Sequence, residues 1–177
     1  MKAIIVHGWM CWPDHAWYPW LRKELESRGY EVQVPLLPNP ELPDRETWVH
    51  IIRDLICDPD TLIVAHSMGC PTTLFALQEY NGPPIHQMIC VSGFGRPYTL
   101  PLLKHWFGES KLDFEKIKTR VKHWAFLHST NDPLVPYAEG EWLAQQLGGS
   151  VVAIRKGHLI QEEGVFELPE VLDLISK

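Results

Sequence analysis

The chain has 177 residues, 45% hydrophobic and 21% charged, with a formal net charge of −6, the size and balance of one globular domain over residues 1–177. No more than two Lys or Arg residues are adjacent, so no basic face is offered to nucleic acid or to an anionic membrane surface. No stretch approaches the roughly 18 apolar residues of a membrane span, and four scattered cysteines without CxxC spacing predict a reduced, cytoplasmic protein.

In chain order, a first apolar run, Ala3–Val6, reads as a strand and leads straight into His7-Gly8-Trp9. Trp17–Ser27 has helical periodicity, and Glu31–Pro35 reads as a second strand. PLLPNPELP, residues 35–43, carries four prolines and predicts a rigid surface loop. Trp48, Ile51, Ile52, Leu55 and Ile56 follow the i, i+3, i+4, i+7, i+8 pattern of an amphipathic helix. Thr61–Ala65 is a third strand, running into His66-Ser67-Met68-Gly69, and Cys70–Tyr80 a helix. Gln87–Ser92 is a fourth strand, and Cys90 within it reads as a small hydrophobe. Residues 93–120 are the least regular stretch, either a small flap over a pocket or a long crossover. A fifth strand, His123–His128, a helix over Tyr137–Leu147, a sixth strand, Ser150–Ile154, and a helix over Pro169–Ser176 complete the chain. Most strands are continuously apolar, as parallel strands covered on both faces are. Their alternation with helices predicts βαβ units and a doubly wound α/β fold.

In such sheets functional groups collect beyond the carboxyl ends of the strands. The loops there carry, in order, Ser67 after the third strand, Asp132 after the fifth and His158 after the sixth. Ser, Asp, His is the chain order of an α/β-hydrolase triad. A serine hydroxyl needs a base to attack at neutral pH, and the imidazole of His158 can take and return that proton. Asp132 would accept the other ring N–H and stabilise the imidazolium. The backbone N–H groups of Trp9 and Met68 are the expected oxyanion donors. AHSMG departs from the GxSxG elbow at Ala65, but alanine adds a single methyl group and Gly69 keeps the second close position minimal.

These features together resemble a family: the small serine hydrolases of the YdeN and retinoblastoma-binding protein nine type. The resemblance spans nearly the whole chain. It rests on HGW with the downstream WYPWL, on the proline loop with Trp48, on AHSMG, on NDPLVP and on the tail GHLIQEEGVFELPEVLDLI. It implies a minimal three-layer α/β/α hydrolase fold with six parallel strands in the order 2-1-3-4-5-6 and little or no lid. It also implies a Ser67–Asp132–His158 triad acting on small esters without cofactor or metal. A retinoblastoma-type partner is not supported. The nearest stretch to LxCxE, Leu55-Ile56-Cys57-Asp58-Pro59, lacks the glutamate and is expected on a helix's apolar face.

Other polar residues have plainer roles. His7 is expected to brace a turn, His66 to support the elbow, and His128 to pack or hydrogen-bond behind the site. Asp14 and His15 read as solvated loop, and no HxH, HExxH or Cys/His cluster suggests a metal. Trp17 and Trp20 share a helical face with Leu21 and read as core. Trp9, Trp12 and Trp106 are candidate walls of an acyl pocket that would favour short acyl groups. The functional expectation is a serine carboxylesterase for small or medium acyl esters, acylated on Ser67. The alternatives are an amidase or peptidase using the same triad, and a binding protein on a hydrolase scaffold.

Overall fold

The apolar runs form six strands in the computed structural model, which describes residues 1–176: β1 Lys2–Val6, β2 Glu31–Gln33, β3 Thr61–His66, β4 Ile85–Val91, β5 Val121–Ser129 and β6 Val151–Ile154. All pair in parallel in a single sheet of order β2-β1-β3-β4-β5-β6. Seven helices connect or flank them: α1 Tyr18–Ser27, α2 Arg45–Leu55, α3 Gly69–Glu79, α4 Pro101–Phe107, α5 Phe114–Lys118, α6 Tyr137–Leu147 and α7 Pro169–Asp173. Both faces of the sheet are covered, because successive strand side chains point to opposite sides. Ile4, Val6, Ile63 and Cys90 pack with Trp48, Phe75 and Leu143 of α2, α3 and α6. Ile5, Leu62, Val64 and Ile89 pack with Trp17, just before α1, with Leu21 of α1 and with Val171 of α7.

The edges of the sheet differ from expectation for identifiable reasons. β2 stops at Gln33, short of Pro35, whose ring removes the N–H that another ladder bond would need. The last helix ends at Asp173 rather than Ser176. The side chain of Gln87 donates to the Leu174 carbonyl at 2.7 Å and accepts from the Ser176 N–H at 2.8 Å, drawing that segment against β4. Residues 93–120 hold two short helices: residues of α4 wall a cavity, while α5 completes the crossover to β5. Cys57 lies beyond the end of α2 and is exposed, not on the helix's apolar face.

Two local devices fix the loops nearest the carboxyl edge. Asp44 caps α2, its Oδ1 accepting from the Thr47 N–H at 2.8 Å and the Thr47 hydroxyl at 2.6 Å. The proline loop is pinned along its length: Leu37 N–H donates to His7 Nε2, Trp48 Nε1–H to the Pro38 carbonyl, Met10 N–H to the Pro40 carbonyl and Trp9 Nε1–H to the Glu41 carbonyl.

Candidate active site

β3 delivers Ser67 to a turn that only a small neighbour permits. Ser67 has φ +52°, left-handed backbone that is costly for any residue with a Cβ and typical of strained functional turns. Its N–H donates to the Val91 carbonyl and its carbonyl accepts from the Cys70 N–H, so α3 begins at once. A Cβ on Gly69 would stand 2.6 Å from the Val6 carbonyl oxygen and 2.8 Å from that of His7. A Cβ on Gly8 would stand 2.9 Å from the Cβ of Ser67. Ala65, by contrast, is buried within β3, in register with Val6 and Cys90, and its methyl group is accommodated there.

Asp132 and His158 arrive from loops that are stitched together. The Ser129 hydroxyl donates to Asn131 Oδ1 and accepts from the Lys156 N–H, and Asn131 Oδ1 also accepts from the Gly157 N–H. Asp132 Oδ1 accepts from the N–H groups of Leu134 and Val135, both at 2.9 Å. His158 then bridges the two sides. Its Nδ1 lies 2.8 and 3.0 Å from the Asp132 carboxylate oxygens, and its Nε2 lies 3.0 Å from Ser67 Oγ. A carboxylate only accepts, so Nδ1 carries the proton and Nε2 is free to accept from the serine hydroxyl. Burial alone would raise the Asp132 pKa. The hydrogen bond and charge of His158, with the two backbone N–H donors, outweigh it and hold the carboxyl below its ordinary value.

Three further histidines surround this set, all buried and all with pKa lowered chiefly by burial. His7 hydrogen-bonds the Gly8 carbonyl through Nδ1–H and accepts from Leu37 N–H, bracing the turn as expected. His128 donates from Nε2 to the Val135 carbonyl at 3.0 Å. Its ring is packed against Gly140 of α6, where a Cβ would collide with it. His66 has its pKa lowered to about 3, by burial and then by repulsion from His158. Its bonds reach Tyr18 and the His158 carbonyl.

Ser67 and His158 open into an apolar cavity of about 210 Å³. Trp9 and Met10 line it from the loop after β1, and Phe94 and Tyr98 from the segment after β4. Leu102 and Leu103 of α4, Leu134 and Val135 beside Asp132, and Ile160 complete its apolar walls, and Glu162 is its one charged lining residue. The three tryptophans separate here. Trp9 is on the wall. Trp12 is not, its ring set against His15. Trp106 is buried one turn further along α4 than Leu102 and Leu103, edge-on to Phe75 and Phe107. The N–H groups of Trp9 and Met68 have no hydrogen-bond partner among the described residues. Nor does any group of three His, Cys, Asp or Glu among them form a candidate metal site.

With a hydrogen-bonded serine, histidine and aspartate at the mouth of a cavity, the comparison with known proteins is direct. A family model described as serine hydrolase matches residues 3–177. The chain belongs to the serine hydrolase family. It is 32% identical to YdeN of Bacillus subtilis (strain 168) over 99% of this chain and 94% of that protein. It is 28% identical to the serine hydrolase RBBP9 of Rattus norvegicus, over 92% of this chain and 89% of that one. The crystal structure of the B. subtilis ydeN gene product superposes with a TM-score of 0.89, covering 97% of this chain and 95% of that chain. Est1E from Butyrivibrio proteoclasticus, 15% identical, shares the fold with a TM-score of 0.71 over 99% of this chain and 88% of its own. The family and its hydrolase members support a hydrolytic function for this serine hydrolase. Among the described residues no helix is long and apolar enough to cross a membrane.

Proposed function

We propose that this serine hydrolase is a carboxylesterase for small or medium apolar acyl esters, acting through an acyl-enzyme on Ser67. The observation that carries the proposal is the 3.0 Å contact between Ser67 Oγ and His158 Nε2, made by a left-handed serine beside an apolar cavity. His158 takes the hydroxyl proton as Oγ attacks the ester carbonyl, and Asp132 stabilises the imidazolium that results. The unpartnered N–H groups of Trp9 and Met68 receive the oxyanion; one such donor is worth about 10²- to 10³-fold in kcat. His158 returns the proton to the leaving alcohol. Water, deprotonated by the same imidazole, then releases the acid and restores Ser67.

Cavity size argues for the acyl range. An apolar cavity of about 150 Å³ takes a benzene molecule, so 210 Å³ suits a ring or a short branched chain and not a long one. Trp9 is the wall residue whose removal lengthens the preferred chain. The four cysteines are free, which fits a reducing compartment such as the cytoplasm. The test is labelling by a fluorophosphonate probe, mapped by mass spectrometry, followed by an ester series of graded acyl length. Labelling at Ser67 with a rate optimum at short to medium chains is expected. Folded protein that does not label would favour a binding role for the scaffold, and faster turnover of matched amides than of esters would reassign it as an amidase.

A further inference from the structure

A second set of buried hydrogen bonds ends on His158, at its backbone instead of its ring. The imidazole of His66, the residue just before the nucleophile, lies with Nε2 2.9 Å from the His158 carbonyl oxygen and Nδ1 2.6 Å from the Tyr18 hydroxyl. All three partners are buried. A carbonyl can only accept, so Nε2 carries a proton. Burial keeps the ring neutral with that single N–H, which leaves a lone pair on Nδ1. The Tyr18 hydroxyl must therefore donate, and burial pushes its phenol further up, so that it keeps its proton. The chain of donors runs one way: Tyr18 to His66 to His158.

The next carbonyl is gripped as well. Trp17 Nε1–H donates to the Leu159 carbonyl at 3.0 Å. Leu159 itself has φ +63°, strained backbone for a branched side chain. Two successive carbonyls of a strained turn are thus clasped, one from Trp17, which caps the start of α1, and one from His66 at the end of β3.

We propose that His66 is a positioning residue that sets His158 through its backbone, with Tyr18 fixing the His66 tautomer and Trp17 holding the following carbonyl. The inference rests on the reading of His158 as the general base. Its logic is short-range. His66 is covalently next to Ser67, so one residue refers the nucleophile and the base to each other without an intervening flexible loop. A displacement of about 1 Å at such a contact costs on the order of 10²-fold in rate.

The charge environment supplies a readout that simple packing does not. His66 faces Tyr18 from α1 and the His158 ring, 5.0 Å away, from the loop after β6. Asp132 and His128, from the end of β5, act on it at longer range. Losing the Tyr18 donor makes His66 easier to protonate, and a second cation would then stand beside the His158 imidazolium.

The experiment compares wild type, His66→Leu, His66→Gln and Tyr18→Phe. It measures the rate of fluorophosphonate labelling at Ser67 and the kcat, KM and pH profile for an acetate ester, with circular dichroism as the fold control. His66→Leu is expected to lower kcat by about 10- to 100-fold with KM within about 2-fold. His66→Gln, whose amide N–H can replace Nε2–H, is expected to recover most of the loss. Tyr18→Phe is expected to lower kcat several-fold and to steepen the acid limb of kcat/KM. A folded His66→Leu that labels as fast as wild type, or a glutamine variant no better than leucine, overturns the clasp alone. If His66→Leu does not fold, the nearly isosteric Tyr18→Phe decides, and an unchanged pH profile there overturns it. Wild-type protein that fails to label at Ser67 overturns both the clasp and the hydrolase reading beneath it.

Discussion

The two edges of this sheet bury polar groups for different ends. At the carboxyl edge lie the Ser67, Asp132 and His158 set, three neutral histidines and the left-handed residues Ser67, Ser92 and Leu159. Each of these costs folding free energy that the apolar strands behind them must offset. At the amino edge Thr61 is buried with no partner for its hydroxyl among the described residues, and the buried amide of Gln87 ties down the chain around Leu174 and Ser176. On the proposed function, polarity at the carboxyl edge positions chemistry, whereas at the amino edge the Gln87 amide closes the fold. Substitutions should therefore separate activity from stability according to the edge they touch.

The largest effect tests the carboxyl edge. Ser67→Ala should lower kcat by as much as about 10⁶-fold, the loss typical of a triad nucleophile. It should leave the thermal midpoint within a few degrees of wild type, because the hydroxyl contributes position and little packing. Steady-state kinetics and a melting curve on the same preparation check both halves. A large fall in the midpoint would mean that the elbow hydroxyl supports the fold and would blur the comparison.

Acid sensitivity comes next. His7, His66 and His128 have folded pKa values below that of a free imidazole, all chiefly through burial. Between the folded values and about 6.5 the unfolded chain binds more protons, so stability is complete above that range and falls as pH drops. Three such groups give at most about 4 kcal/mol per pH unit, and the share of His66 continues down to about pH 3. Asp132, with its lowered pKa, adds a further loss below its unfolded value. Urea titrations at pH 7, 6 and 5 measure the slope. Fewer than one proton taken up on unfolding would show that these rings are not held neutral.

Gln87→Leu sharpens the contrast from the other side. It strands the Leu174 carbonyl and the Ser176 N–H, so a loss of roughly 1–3 kcal/mol is expected, with kcat and KM for a short ester unchanged. Denaturant midpoints and ester kinetics give the two readouts.

Much of the carboxyl edge was legible because βα order alone places residues there. Ser67, Asp132 and His158 each follow a continuously apolar run, and a parallel sheet brings the ends of such runs together without any knowledge of side-chain direction. The strand order came with the family resemblance. Direction was not legible. Trp9, Trp12 and Trp106 look alike in sequence, yet only Trp9 of the three meets the cavity: Trp12 is set against His15, and Trp106 stands a turn beyond Leu102 and Leu103 of α4 and packs on Phe75 and Phe107. The helices within 93–120 escaped for a related reason. α4 and α5 have seven and five residues, too few turns for a 3.6-residue period to stand out. The partnership of Tyr18 with His66 spans 48 positions and leaves no local pattern.

The smallest effect asks whether the cavity wall belongs to either edge. The Arg45 guanidinium, from the start of α2, donates to the carbonyls of Trp106 and Phe107, at the end of α4. Leu102 and Leu103, earlier in the same helix, line the cavity. Arg45 is half-buried, so these bonds are partly screened, and their loss is worth on the order of 1 kcal/mol. Arg45→Ala should then raise KM about 5-fold for an ester that fills the cavity, since 1.4 kcal/mol is tenfold. An acetate ester does not reach α4, and its kinetics should stay unchanged. A rise in KM shared equally by both esters would mean that α4 supports the Ser67 elbow itself, and the wall would then join the carboxyl edge as part of the positioning machinery. A rise confined to the larger ester would make α4 a separately tunable element, held from α2 and free to vary with the acyl group it meets.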